Sequence, residues 1–348
     1  MSGSGRILLA WVAACGHFGF DPTGSPGDGG RATGDGGSAD GGSSSTPSCV
    51  ALPATCGASA SDSCCDSPMI PGGTFYRGDD ASTDGMFTDM THAATVSTFR
   101  LDKYEVTVGR FRAFVAAGQG IQSSPPASGA GARSLNGLAV AGGWDSSWNS
   151  NLEPNSAALE TAIACGGANY GTWTPVAGSN ENRPITCVTW YEAMAFCVWD
   201  GGFLPTEAEW HYAASGGSEQ RAYPWSSPAS SLAISCSETN YGGANAPQTL
   251  CSAAGPSDVG SWPDGDGDWG QSDLAGNVYE WVLDWYATPY MTPCNDCADL
   301  TVTSARVMRG GSFYVDETRE RAAERLNYYA GTPTDRDGDL GVRCARAP

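Results

Sequence analysis

The stretch "RPITCVTWYEAMAFCVWDGGFLPTEAEWHYAASGG", residues 183–217, organises the rest of the chain. Thr189 and Glu192 stand three apart, and so do Thr206 and Glu209. A Thr hydroxyl can accept a backbone N–H at the third helical position while the Glu there reaches back, so each pair reads as a capping box opening a helix. Gly201-Gly202 and Gly216-Gly217 stop the two helices.

Upstream, "MIPGGTFYRG" reads as a strand after a glycine turn, and "ATVSTFRLDKYEVTVGRFRAFVAAG" as a strand followed by a helix. Thr107 caps that helix, and Phe111, Phe114 and Val115 form its apolar face at helical spacing. Residues 118–182, rich in Gly, Ser, Ala and Asn, read as an irregular excursion. Downstream, "GNVYEWVLDWY", "RVMRGGSFY" and "LGVRCAR" read as short strands. No 20–50-residue repeat is present. The expected fold class is α+β, rich in loops and stapled by bridges.

Thirteen cysteines suit an oxidising compartment. Zinc sites favour paired knuckles or His partners, whereas only Cys294 and Cys297 form a C-x2-C here and His is limited to His17, His92 and His211. The N-terminus agrees with export. Arg6 precedes a short apolar run, 7–14, too short to span a bilayer, which ends in Val12-Ala13-Ala14-Cys15. That ending resembles a bacterial lipobox, with Cys15 the lipidated residue. Lipidation would leave twelve cysteines, an even number. Residues 1–14 are thus expected to be a signal peptide and 15–48 a Gly/Ser/Asp-rich tether. Residues 49–66 form a Cys-rich knot of Cys49, Cys56, Cys64 and Cys65, with the pairing open. The main domain is expected over 67–348. Gly16, rather than Asp, after the lipidated residue favours the outer membrane where one exists. The net charge of −20 excludes nucleic acid as an electrostatic partner. The membrane is engaged through the lipid, and an unidentified protein, peptide or glycan is the expected ligand.

"PGGTFYRG", "LDKYEVTVGRFRAFV", the 183–217 stretch, "YPWS", "DLAGNVYEWVLDWY", "MRGGSF" and "LGVRCAR" occur in this order. Together they closely resemble the formylglycine-generating enzyme, or sulfatase-modifying factor, family over 68–348. The resemblance implies an irregular, C-type-lectin-like fold. Active members bind Cu(I) on two cysteines and oxidise a cysteine within a Cys-x-Pro-x-Arg segment. Those cysteine positions fall on Val315 and Glu320, while the family serine remains as Ser312 and neighbouring basic positions as Arg321 and Arg325. A valine methyl and a hard carboxylate do not hold Cu(I), so the expectation is an inactive domain used for binding or envelope assembly. The alternative is an active oxidase with unusual ligands. The family's sulfoxide synthases need three histidines on an added domain, which this sequence lacks.

The resemblance also implies a structural calcium at the Asp273 and Glu280 side chains and the Gly276 and Val278 carbonyls. A second, at Asn240 and the Tyr241 carbonyl, lacks its downstream partner motif. It further implies a Cys197–Cys344 bridge; nearness in sequence adds Cys165–Cys187, Cys236–Cys251 and Cys294–Cys297. Arg321, Arg325 and Arg343 are expected to pair with Glu317, Glu320 and Glu324. Trp190, Trp225, Trp281 and Trp285 are expected in the core, Trp144 and Trp148 at an exposed contact surface, and His211 in a structural role.

Overall fold

Both Thr-x-x-Glu pairs do what their spacing predicts. Thr189 and Thr206 lie in extended backbone, and each hydroxyl accepts the N–H of its Glu while the Glu carboxylate accepts the Thr N–H. The computed structural model describes residues 46–50, 52, 55–165, 170–242, 251, 255–325 and 331–348. Within them are four α-helices: α1 (Val108–Ala116), α2 (Ser156–Ile163), α3 (Trp190–Trp199) and α4 (Glu207–Ala214). Thr107 caps α1 by accepting the Arg110 N–H. None of these helices is long and apolar enough to cross a membrane.

The strands are short and fall in three small sheets and a hairpin. β1 (Met69–Ile70), β4 (Phe99–Leu101) and β11 (Ala345–Arg346) form one antiparallel sheet. β2 (Gly73–Tyr76) and β3 (Ala93–Val96) are antiparallel, with β8 (Cys294–Asn295) parallel to β3. In the third sheet β7 (Tyr279–Trp285) lies between β9 (Arg306–Arg309), antiparallel, and β10 (Leu340–Val342), parallel. All seven residues of β7 are buried. A strand covered on both faces needs a nearly continuous apolar run, which Tyr-Glu-Trp-Val-Leu-Asp-Trp supplies except at Glu280 and Asp284. The main core joins α1, α3 and β7, and a second packs α4 against the sheets of β2 and β4.

The excursion 118–182 is more regular than its composition suggests. It holds the hairpin of β5 (Arg133–Leu135) and β6 (Leu138–Ala141), turned at Asn136-Gly137 with φ of 54° and 75°. Asn-Gly takes the two left-handed positions of such a turn at little cost. The excursion also holds α2, where Asn155 accepts the Ala158 N–H.

All twelve described cysteines are bridged. Cys56–Cys64 nests inside Cys49–Cys65, and the others are Cys165–Cys187, Cys197–Cys344, Cys236–Cys251 and Cys294–Cys297. Cys197–Cys344 ties α3 to the link between β10 and β11 across a sequence separation of 147. A loop of that length corresponds to roughly 5 kcal/mol in the chain-entropy model. The Cys-rich segment is knit into the same body: Arg110 donates to the Cys64 carbonyl and the Ser48 hydroxyl, and the Ser48 N–H donates to Asp200. The lipobox, the signal peptide and most of the tether lie outside the described residues.

Candidate functional site

β9 ends in Gly310 and Gly311, with φ of 100° and 75°. A side chain at Gly311 would collide with the Glu320 carboxyl, so only glycine fits both the turn and the close approach. The turn delivers Ser312 into the interior. Its hydroxyl donates to Asp339 Oδ2 at 2.9 Å, and its N–H donates to Glu320 Oε1 at 3.2 Å. Val315 is half-buried against the main core, and its carbonyl accepts the Gly242 N–H at 2.7 Å. Asp316 caps the 3-10 turn Glu317–Glu320 that carries Glu320 inward, to zero exposure.

Among the described residues, no arginine is bonded to the carboxyl groups of this centre. Burial pushes the Glu320 carboxyl well above its usual range. Burial, then the neighbouring Asp337, pushes Asp339 up to about 7. The Tyr279 hydroxyl is also driven upward, by burial and then by Glu320 and Asp339. Glu320 Oε2 and the Tyr279 hydroxyl are buried without a hydrogen-bond partner among the described residues. At neutral pH the Glu320 carboxyl is therefore protonated and Asp339 about half protonated. The site does not fit Cu(I): Val315 offers methyls, Glu320 a neutral hard carboxyl, and every described cysteine is in a bridge.

The residues assigned to calcium lie on the loop entering β7 and, for Glu280, in β7 itself. Glu280 is already engaged: Arg343 Nη2 donates to Oε1 at 2.8 Å and Trp210 Nε1 to Oε2 at 2.7 Å. Asp273 Oδ2 accepts the Gly260 N–H at 2.6 Å, and burial raises this carboxyl to about 6. Gly276 and Val278 lie between them on the loop, and the Val278 N–H donates to Glu105. Glu105 is fully buried and held well above its usual range by burial and then by Asp273 and Glu280. Among the described residues no three Asp, Glu, His or Cys side chains converge as metal ligands. At the second position, next to Tyr241, Asn240 Oδ1 is buried and has no hydrogen-bond partner among the described residues, an oxygen of the kind a hard cation takes.

Several expectations are corrected. Arg321 pairs with Asp80 and Asp84, Arg325 with Glu207 and Arg343 with Glu280, none with Glu317, Glu320 or Glu324. These arginines are drawn inside, where carboxylates remote in sequence compensate them. Trp144 is buried and Trp148 half-buried: Trp144 Nε1 donates to Asn149, and Trp148 packs edge-on between Trp144 and Trp190. They are core, not an exposed contact surface, because the excursion folds back over α3. Trp190, Trp281 and Trp285 are buried, and Trp225 is half-buried on Tyr223. Sequence reasoning missed Asp339, Tyr279 and Glu105. A lone Glu between Tyr104 and Val106 in an apolar run was the available signal for Glu105.

Residues 54–348 match the model of the sulfatase-modifying factor enzyme 1-like domain. A formylglycine-generating enzyme of Streptomyces coelicolor is 32% identical over 292 residues, covering 79% of this chain and 87% of that one. A mouse protein named inactive C-alpha-formylglycine-generating enzyme 2 is 28% identical over 295 residues, covering 79% and 84%. PvdO from Pseudomonas aeruginosa superposes with a TM-score of 0.54 at 22% identity, covering 80% of this chain and 93% of that structure. The likeness to PvdO extends the shared loop-rich α+β fold to a solved structure.

Proposed function

We propose a function that starts from kinship: the chain belongs to the sulfatase-modifying factor enzyme 1-like family, and its domain has lost copper-dependent cysteine oxidation and serves as a binding or assembly module. The observation that carries this reading is Glu320, a buried neutral carboxyl at a family thiolate position. Val315 at the other position adds no donor. A named inactive relative of similar coverage makes such a loss unexceptional in the family. Cys15 and the apolar run before it support an exported lipoprotein held at the cell envelope, with the domain presented to a protein, peptide or glycan. If Cys15 is the anchor, Cys15→Ala moves the protein from the membrane to the soluble fraction.

The test is mass spectrometry of a Cys-x-Pro-x-Arg peptide incubated with the copper-supplemented domain in air. The expected result is an unchanged peptide. The mass loss that accompanies conversion of a thiol to an aldehyde would sink this reading. It would promote the second one, an active oxidase, which the 32% identity to a named enzyme favours. The double variant Val315→Cys, Glu320→Cys is expected to bind Cu(I), because it restores two soft ligands.

A further inference from the structure

His211 lies on α4 one turn beyond Glu207, so the two side chains leave the same face of the helix. Three guanidinium groups gather on that face. Arg309 Nη2 donates to Glu207 Oε1 at 2.7 Å and to the Tyr290 hydroxyl at 3.2 Å. Arg325 Nε donates to the same Glu207 oxygen at 2.7 Å. Arg77 and Arg325 lie 4.8 and 4.3 Å from the centre of the Tyr290 ring.

The negative charge here falls short. Glu207 is one carboxylate. The second, Asp284, is pushed up to about 7 by burial and then by Glu207, so it is about half protonated at neutral pH. Three arginines therefore face roughly one and a half negative charges. Arg77, Arg309, Glu207 and His211 are all buried, at 2%, 1%, 2% and 0% exposure, and the Arg325 side chain is 10% exposed, so water offsets only a small part of the difference.

Unpartnered donors lie in the same place. Among the described residues, Arg77 Nε, Arg309 Nε and both ring nitrogens of His211 have no hydrogen-bond partner. One nitrogen of a neutral imidazole carries hydrogen, so at least three buried N–H groups lack an acceptor. His211 is kept neutral by burial and then by Arg309, Arg77 and Arg325. Surplus positive charge together with orphaned N–H donors is the complement of an anion.

We infer that this cluster binds a small monovalent anion of the halide class, held by Arg77, Arg309 and His211. Enclosure sets the size limit: a bulky oxyanion would have to open the core. The site is separate from the Ser312 centre and independent of whether that centre is active.

The test uses the protein with its disulfides intact, at ionic strength held constant with gluconate. Raising chloride from about 1 mM to about 100 mM is expected to raise Tm by about 3–6 °C, for a site of Kd near about 1 mM. Sulfate at matched ionic strength should give less than about 1 °C. Arg77→Met should remove the chloride-dependent shift. In crystals grown with bromide, an anomalous-scattering peak should lie between Arg77, Arg309 and His211. Superimposable melting curves in chloride and gluconate would overturn the inference. So would a full shift in Arg77→Met, or bromide crystals of the unaltered protein with no peak there. The crystal measurement stands even if the variant does not fold.

Discussion

Around Asp102 and Asp200 two aspartates meet two arginines; around Ser312 two carboxyl groups meet none. In the first centre Arg110 donates to Asp102 Oδ2 at 2.9 Å and to Asp200 Oδ2 at 2.7 Å. Arg346 reaches the same pair, at 2.9 Å to Asp102 Oδ1 and 2.7 Å to Asp200 Oδ2. Burial alone would raise Asp102, but Arg346 and Arg110 outweigh it and hold the carboxyl below its usual range. In the second centre no arginine among the described residues opposes burial, the hydrogen bonds from Ser312 offset it only in part, and both Glu320 and Asp339 are shifted upward. Burial does not decide the charge of an acid; its partners do. The balanced centre is structural, joining α1, the end of α3, β11 and the Cys-rich segment. The unbalanced one is the centre proposed above to have lost its metal chemistry.

The largest expected effect comes from unbalancing the first centre. Arg110→Met leaves Asp102 and Asp200 to share Arg346, with no water to replace the lost guanidinium. A loss of about 3–5 kcal/mol in unfolding free energy is expected, read by urea denaturation with the disulfides intact. The bonds from Arg110 to Ser48 and the Cys64 carbonyl vanish with it, so protease cutting between 46 and 66 should accelerate. A loss below about 1 kcal/mol would mean that the pairs are not the support they resemble.

Much of the fold was legible because its signals are local. The capping boxes at Thr189 and Thr206 and the apolar spacing of α1 each span only a few residues. The α2 cap at Asn155 is equally local, but it was hidden by the Gly/Ser/Asn composition around it. Ion-pair partners were not legible. Arg321 and Asp80 are 241 residues apart, Arg325 and Glu207 118, and nothing in their neighbourhoods encodes the meeting. At the candidate site, Ser312, Val315 and Glu320 could be located by counting from motifs. That Glu320 is neutral, and that Asp339 and Tyr279 complete its surroundings, depends on β7 and β10 pairing Tyr279 with Leu340.

Next in size is the dependence of stability on pH, which sharpens the contrast because the two centres have opposite signs. Asp339, Asp273 and Asp284 titrate near 7, 6 and 7 in the folded chain, well above their unfolded values, and Glu320 is raised as well. The folded chain therefore holds more protons than the unfolded one from about pH 4 to pH 7, and stability falls as pH rises through that window. Asp102 is shifted the other way, so its contribution is lost as pH falls below the ordinary Asp range. Maximum stability is expected near about pH 4, at the lower edge of that window, with a lower Tm at pH 8. Asp339→Asn should flatten the decline above pH 5 without touching the acid side. A Tm that climbs steadily from pH 5 to pH 8 would show that these acids are ionised in the folded state and held by partners.

The smallest effect belongs to Glu320→Gln. If the carboxyl is already neutral, the amide replaces it at the same size and charge. The carbonyl oxygen keeps the Ser312 N–H bond, and the amide nitrogen takes the place of an oxygen that has no partner. At pH 5 the change in unfolding free energy should stay within about 1 kcal/mol. At pH 8 the variant should equal or exceed the parent, since it has no charge to bury. Asp200→Asn, the matching change in the balanced centre, should cost more at both pH values, because two arginines would lose a shared carboxylate. If instead Glu320→Gln at pH 5 were as damaging as Arg110→Met, Glu320 would have to be an anion with a cation beside it. The residues described around it supply no such cation, so a bound metal ion would then have to be sought there.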